Sequence, residues 1–256
     1  MPSKSIFTPF LLDIYDQTAF AKSFFRNALR KGFEWDELVK QCYKIGYRSI
    51  GIIALTGFIL GFVLTIQSEP TLKQFGAMGY LPGMVAISVF REIGPVIVAL
   101  ICAGKISSSI GAELGSMNVT EQIDAMQVSG ANPVQYLVVT RILACTLMIP
   151  LLTVFADVIS LVGGFAAVNL GGSMGPILYF DKAIDSLEFS DVIPAALKTV
   201  LFGFVIGFVG CFKGFHSNRG TESVGHAANS AVVTSSVAII VIDAIVVQIT
   251  NLFVYN

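Results

Sequence analysis

Residues 49–66 read Ser-Ile-Gly-Ile-Ile-Ala-Leu-Thr-Gly-Phe-Ile-Leu-Gly-Phe-Val-Leu-Thr-Ile, and no charge falls between Arg48 and Glu69. A helix rises 1.5 Å per residue, so about 20 apolar residues cross the ~30 Å hydrocarbon core of a bilayer. This stretch is therefore read as a spanning helix. Four more follow outward from it: about Gly83 to Gly104, interrupted by Arg91-Glu92; from just after Arg141 to about Leu170, broken by Asp157; about Val192 to Phe212, with Lys198 inside; and about Ser230 to Phe253, with Asp243 inside. The alternating polarity of a membrane barrel is not seen. The expected fold is all-α and integral to the membrane, with five transmembrane helices preceded by an N-terminal amphipathic interfacial helix.

Composition agrees. Of 256 residues, 54% are hydrophobic and 13% charged, with mean hydropathy +0.77; a soluble domain carries about 25% charge. A net charge of −1 offers no bulk attraction to nucleic acid, so none is expected as partner. Cys42, Cys102, Cys145 and Cys211 are scattered without a CxxC pair and read as small hydrophobes.

Cations orient the chain. Lys4, Lys22, Arg26, Arg30, Lys31, Lys40, Lys44 and Arg48 precede the first span, and Lys105, Arg141, Lys213 and Arg219 flank the second and fourth connections. The first and third connections hold Lys73 and Lys182, and the third is acidic, with Asp181, Asp185, Glu188 and Asp191. The N-terminus is expected in the cytoplasm and the C-terminus outside. Residues 1–48 form an N-terminal segment without the apolar core of a signal peptide, and 49–256 the permeating domain. Over Thr18–Phe33, Phe20, Phe24, Phe25, Ala28 and Leu29 share one helical face while Lys22, Arg26 and Arg30 share another. That pattern suits a helix on the inner leaflet with Trp35 at headgroup depth; a helix packed on the rest of the protein is the alternative.

The connection 105–141 is organised. Asn118 or Thr120 can cap a helix with Glu121 in its first turn, ended by Gly130 and Pro133, with Val119, Ile123 and Met126 on one face. Such a helix either covers the bundle end or docks a cytosolic partner.

Ionisable groups inside a bilayer cost at least ~2.5–3.5 kcal/mol each at a helix centre, so they are candidate functional groups. Arg91 and Glu92 point about 100° apart and need different partners. They line a lipid path, Arg91 meeting a phosphate, or form a packing ion pair, with Lys198 as partner for Glu92. Asp157 and Asp243 would serve a proton relay or helix-to-helix hydrogen bonding. Gly57-x-x-x-Gly61, Gly203-x-x-x-Gly207 and Gly210-x-x-x-Gly214 allow close helix approach, within one subunit or between two.

Four patterns imitate a catalytic, metal or nucleotide site. Gly171-Gly172-Ser173-Met174-Gly175 matches a nucleophile elbow, but Ser173 lies outside while His216 and His226 lie in a cytoplasmic loop, and no strand precedes it. The histidines match no metal spacing, and Ser107-Ser108-Ser109 reads as small polar packing. Gly104-Lys105 is followed by Ile106, with Ala99 where a Walker A motif needs glycine. Any ATPase must therefore be another chain, and no catalytic residue, metal or cofactor is expected in this one.

The blocks Arg91-Glu92-Ile93-Gly94-Pro95, Ala103-Gly104-Lys105, Ala112-Glu113-Leu114-Gly115-Ser116-Met117 and Thr120-Glu121-Gln122-Ile123-Asp124-Ala125-Met126 resemble the MlaE (YrbE-type) permeases. The likeness continues through Pro133, Arg141 and Pro150, and at the ends through Gln41, Tyr43, Gly46, Gly225 and Asp243. Lys105 stands where the family pattern suggests Arg, keeping the charge but not the planar fork. The resemblance implies a homodimer in the bacterial inner membrane, each copy engaging a cytosolic ABC ATPase that binds ATP and Mg. The coupling helix would carry Glu121, Gln122, Asp124, Ala125 and Met126 and end at Gly130. It further implies a periplasmic MCE-domain protein, a small STAS-type regulatory subunit and phospholipid cargo moved between inner and outer membranes. The alternatives are an ion-gradient-driven transporter or channel using Asp157 and Asp243, and an MCE-type importer of sterols or other hydrophobic molecules.

Overall fold

The computed structural model describes residues 7–29, 32–171, 174–217 and 220–254. Lys4, Arg30, Lys31, Gly172, Ser173 and Arg219, singled out above, lie outside them. Among the described residues there are helices and no strands: α1 (Phe7–Ala28), α2 (Trp35–Gly46), α3 (Ile50–Gln74), α4 (Leu81–Ser88), α5 (Gly94–Cys102), α6 (Ser108–Val119), α7 (Gln122–Val128), α8 (Thr140–Leu170), α9 (Pro176–Asp185), α10 (Phe189–Phe215) and α11 (Thr221–Val254). Five helical runs are long and apolar enough to cross a membrane: Trp35–Gln74, Met78–Val119, Val134–Leu170, Phe189–Phe215 and Glu222–Leu252. They coincide with the five expected spans but are longer. The helix of the first passes from α2 to α3 through a single 3-10 turn, Tyr47–Ser49, straight across residue 48. The second continues through Lys105 to Val119, so most of the expected connection is helix.

Two widened π turns interrupt the second run, at Val89–Ile93 and Ala103–Ser107, and another opens the third, at Val134–Val139. The first has a direct cause. Pro95 lacks the N–H that would close an α turn onto Arg91, and the Gly94 N–H reaches back five residues to the Val89 carbonyl.

Helix α8 is the centre of the bundle. Its Ile142, Cys145 and Ile149 are fully buried, as are Phe202 and Ile206 of α10. Glycines set the spacing. A Cβ at Gly57 would stand 2.5 Å from the Ala156 carbonyl oxygen, and one at Gly61 would strike that of Ser160, so α3 lies backbone against backbone on α8. A Cβ at Gly203 would stand 2.7 Å from the Cys145 carbonyl oxygen of α8, and one at Gly214 would stand 2.8 Å from Leu114 Cβ of α6. All three glycine pairs are thus used within one subunit. The outer faces stay apolar: Ile52, Leu55 and Ile59 on α3, Leu151 and Val158 on α8, and Val237, Ile245 and Ile249 on α11 are exposed.

The N-terminal helix spans Phe7–Ala28 where Thr18–Phe33 was expected, because residues 32–34 break it before α2. Phe20 and Phe24 are buried against α10, with Phe20 ring contacts to Phe208 and Phe212 at 5.5 Å and a Phe24 contact to Phe204 at 5.7 Å. Lys22, Phe25, Arg26 and Leu29 remain exposed, as does Trp35. The acidic third connection contains α9, which the sequence reading did not contain. Its Tyr179 is fully buried beside Leu81 and Val85 of α4.

Candidate functional site

Two regions carry the expected site residues. The first is a charged cluster where the second, fourth and fifth spans meet. Lys198 of α10, 3% exposed, places its Nζ 2.6 Å from Glu92 Oε2 and 2.9 Å from Asp243 Oδ1 of α11. Arg91 pairs with Asp191, which is buried in the first turn of α10. Arg91 and Glu92 therefore take different partners, seven residues apart on one helix. The Val89–Ile93 π turn aims both side chains at α10. Sequence reading placed Asp191 in an outer loop and missed it as a partner; it sits at the third position of a capping box with Glu188, where a carboxylate has a backbone role as well.

Two cations, Arg91 and Lys198, face three carboxylates, Glu92, Asp191 and Asp243, a formal excess of one negative charge. A cleft of about 240 Å³ opens beside them, lined also by Pro194, Val246, Val247 and Thr250. Asp157 stands apart. Its carboxyl is buried against Gly94, where a Cβ would collide with it, and its Oδ1 has no hydrogen-bond partner among the described residues.

The second region is α7. Sequence reading expected an Asn118 or Thr120 cap, and neither side chain caps this helix. Asn118 Nδ2 donates to the Ser217 carbonyl at 2.6 Å, and Thr120 Oγ1 to that of Ser116 at 2.8 Å, both serving the end of α6. Val119 closes α6 and is not on the face of Ile123 and Met126. Between the helices Glu121 turns the chain in the left-handed region, φ +59°, a conformation uncommon for any residue but glycine. Helix α7 then runs Gln122–Val128 and ends at Gly130, φ +81°. Ile123 is buried and Met126 packs on the main core, while Glu121, Gln122, Asp124, Ala125 and Val128 are exposed. Asn132 Nδ2 donates to Asn27 Oδ1 at 2.7 Å, tying the end of this loop to α1. The arrangement is a short helix rooted in the bundle with its polar face outward.

The histidines separate: His216 packs against Phe20 and Phe212, and His226 is exposed on α11.

Residues 38–249 match the family described as Permease MlaE. Curated relatives extend the match. A probable ABC transporter permease protein of Rickettsia typhi is 35% identical over 83% of this chain and 82% of its own. One from Synechocystis is 33% identical over 79% and 77%. The chloroplastic protein trigalactosyldiacylglycerol 1 of Arabidopsis thaliana is 31% identical over 84% of this chain and 61% of its own. The chain belongs to the MlaE permease family, as the permease subunit of an ABC transporter. ATP hydrolysis in such a transporter belongs to a separate subunit, which replaces the ion-gradient alternative.

Proposed function

We propose that this permease moves phospholipid between the inner and outer membranes of a Gram-negative envelope, maintaining the lipid asymmetry of the outer membrane. It works as a homodimer in the inner membrane, with its N-terminus cytoplasmic and its C-terminus periplasmic. A cytosolic ABC ATPase engages α7 of each copy, a small STAS-type subunit regulates that ATPase, and an MCE-domain protein receives or delivers lipid on the periplasmic side. The observation that carries this reading is α7. A helix held by Ile123 and Met126 in the core, with Gln122, Asp124 and Ala125 outward, transmits a push from a docked ATPase into the bundle rather than absorbing it in a loop.

Lipid as cargo is supported by the exposed apolar faces of α3 and α11 and by the galactolipid in the name of the Arabidopsis relative. The cleft beside Arg91, Glu92 and Lys198 is the wall of the lipid path. With one excess negative charge, the cluster holds the Val89–Ile93 turn, α10 and α11 in register rather than receiving a phosphate.

The test is a mild-detergent pull-down of the tagged chain from native membranes, followed by transfer of labelled phospholipid or sterol in the reconstituted complex. We expect an ATPase and an MCE protein to co-purify, Ala125→Arg to lose the ATPase while the chain stays folded, and phospholipid to move. A homo-oligomer without ATPase would sink the partner assignment, and sterol transfer without phospholipid transfer would replace the cargo.

A further inference from the structure

The cationic excess that the Arg91 cluster lacks is found toward the other end of the second span, where it meets the first. A cleft of about 140 Å³ opens between the α2–α3 junction and the Ala103–Ser107 π turn with α6, well above the ~10–15 Å³ that one water needs. Lys44, Arg48 and Lys105 line it. Its one carboxylate, Glu113, already has two cations of its own: Lys44 Nζ at 2.6 Å and the buried Arg141 at 3.1 Å. Lys105 Nζ donates to the Arg48 carbonyl, a neutral group, and the Arg48 guanidinium has no ion pair among the described residues. Four cations thus stand against one carboxylate. Glu37, the next acid along α2, is engaged by Gln41, Lys40 and Tyr136.

A second observation points into the same space. Ser49, 1% exposed, lines this cleft, and its Oγ has no hydrogen-bond partner among the described residues. A buried hydroxyl without a partner costs free energy that a ligand oxygen would recover. Below the cleft, Ile52, Leu55 and Ile59 continue the Arg48 face of the helix as an exposed apolar stripe.

We propose that this cleft is a binding site for a phosphate oxyanion, held by Arg48 and Lys105 with Ser49 Oγ donating to it. A phospholipid headgroup fits, its acyl chains lying along Ile52 and Leu55. Arg48 supplies the planar fork suited to phosphate, and Lys105 a compact second charge. The assignment uses only these charges and the hydroxyl, so it holds whatever the cargo or direction of transport.

Native mass spectrometry of the purified full-length chain tests it, with phosphatidylglycerol, diacylglycerol of the same acyl chains, and inorganic phosphate as probes. We expect phosphatidylglycerol to bind in preference to diacylglycerol. The Arg48→Gln/Lys105→Gln variant should weaken it at least ~tenfold, as expected when charge-assisted contacts are lost. Arg48→Lys/Lys105→Arg, which keeps both charges, should retain it, as should Lys22→Gln/Arg26→Gln, which removes exposed cations elsewhere. Competition by inorganic phosphate identifies a general phosphate site; its failure to compete identifies a lipid headgroup site. Equal binding of diacylglycerol by the wild type overturns the proposal without any variant. So does an equal loss in Lys22→Gln/Arg26→Gln, which would mean diffuse attraction to a basic surface.

Discussion

Lys198→Met isolates the bridge at the centre of the charged cluster. In the wild type one ammonium, 3% exposed, lies 2.6 Å from Glu92 Oε2 and 2.9 Å from Asp243 Oδ1. The two oxygens are therefore at most 5.5 Å apart, the sum of those distances. Without the cation they repel by roughly 3 kcal/mol at an effective dielectric of about 20, a value suited to Glu92 being partly exposed. This agrees with the ~3–5 kcal/mol lost when one partner of a buried pair is removed. At ~2–4 °C per kcal/mol, the melting midpoint of the purified permease should fall by roughly 6–12 °C. Methionine fills similar volume, so little of the loss comes from packing. The decisive comparison is Lys198→Met/Glu92→Gln, which removes the repulsion and should recover most of the loss. A single variant melting within about 2 °C of wild type, or a double variant no better than the single, would refute the bridge as the element joining the Val89–Ile93 turn, α10 and α11.

Two further outcomes follow from packing. Gly203→Ala brings a methyl to 2.7 Å from the Cys145 carbonyl where ordinary contact begins at 3.4 Å, so α10 must retreat about 0.7 Å (3.4 − 2.7) from α8. A thermal melt should show a loss of ~1–3 kcal/mol, while Gly51→Ala, with nothing within 4 Å, should be neutral or gain ~0.5–1 kcal/mol. Phe24→Ala removes a buried ring from the α1–α10 seam; at ~3 kcal/mol the undocked fraction of α1 rises roughly 100-fold, read as faster tryptic cleavage at Lys22 and Arg26.

Much of the fold was legible in the sequence because the bilayer imposes a length and a polarity on every span. The uncharged run after Arg48 needed no tertiary information, and the Lys198–Glu92 pair could be anticipated from shared depth. Helix ends were less legible. Asn118 and Thr120 are good capping types, yet their side chains donate to the Ser217 and Ser116 carbonyls, which holds them away from the N–H groups a cap would accept from. The left-handed turn at Glu121 carries no sequence signal, because glutamate gives no hint of positive φ. Asp191 looked like one acid among several in an outer loop; only the capping box at the start of α10 puts it under Arg91.

The sequence by itself determined that this is a five-span membrane protein, the order of its spans, and which residues form the exposed turn that reads as a coupling element. Hydropathy and chain connectivity are local, and a run of apolar residues in lipid has few options beyond a helix. The tertiary structure alone decided which charges meet. It put Lys198 between Glu92 and Asp243, and it gathered Lys44, Arg48 and Lys105 around an unpartnered Ser49. These groups come from positions far apart in the chain. Pro95 marks one π turn locally, but which helices meet depends on glycine contacts along α8, and no local run of residues names the partner helix.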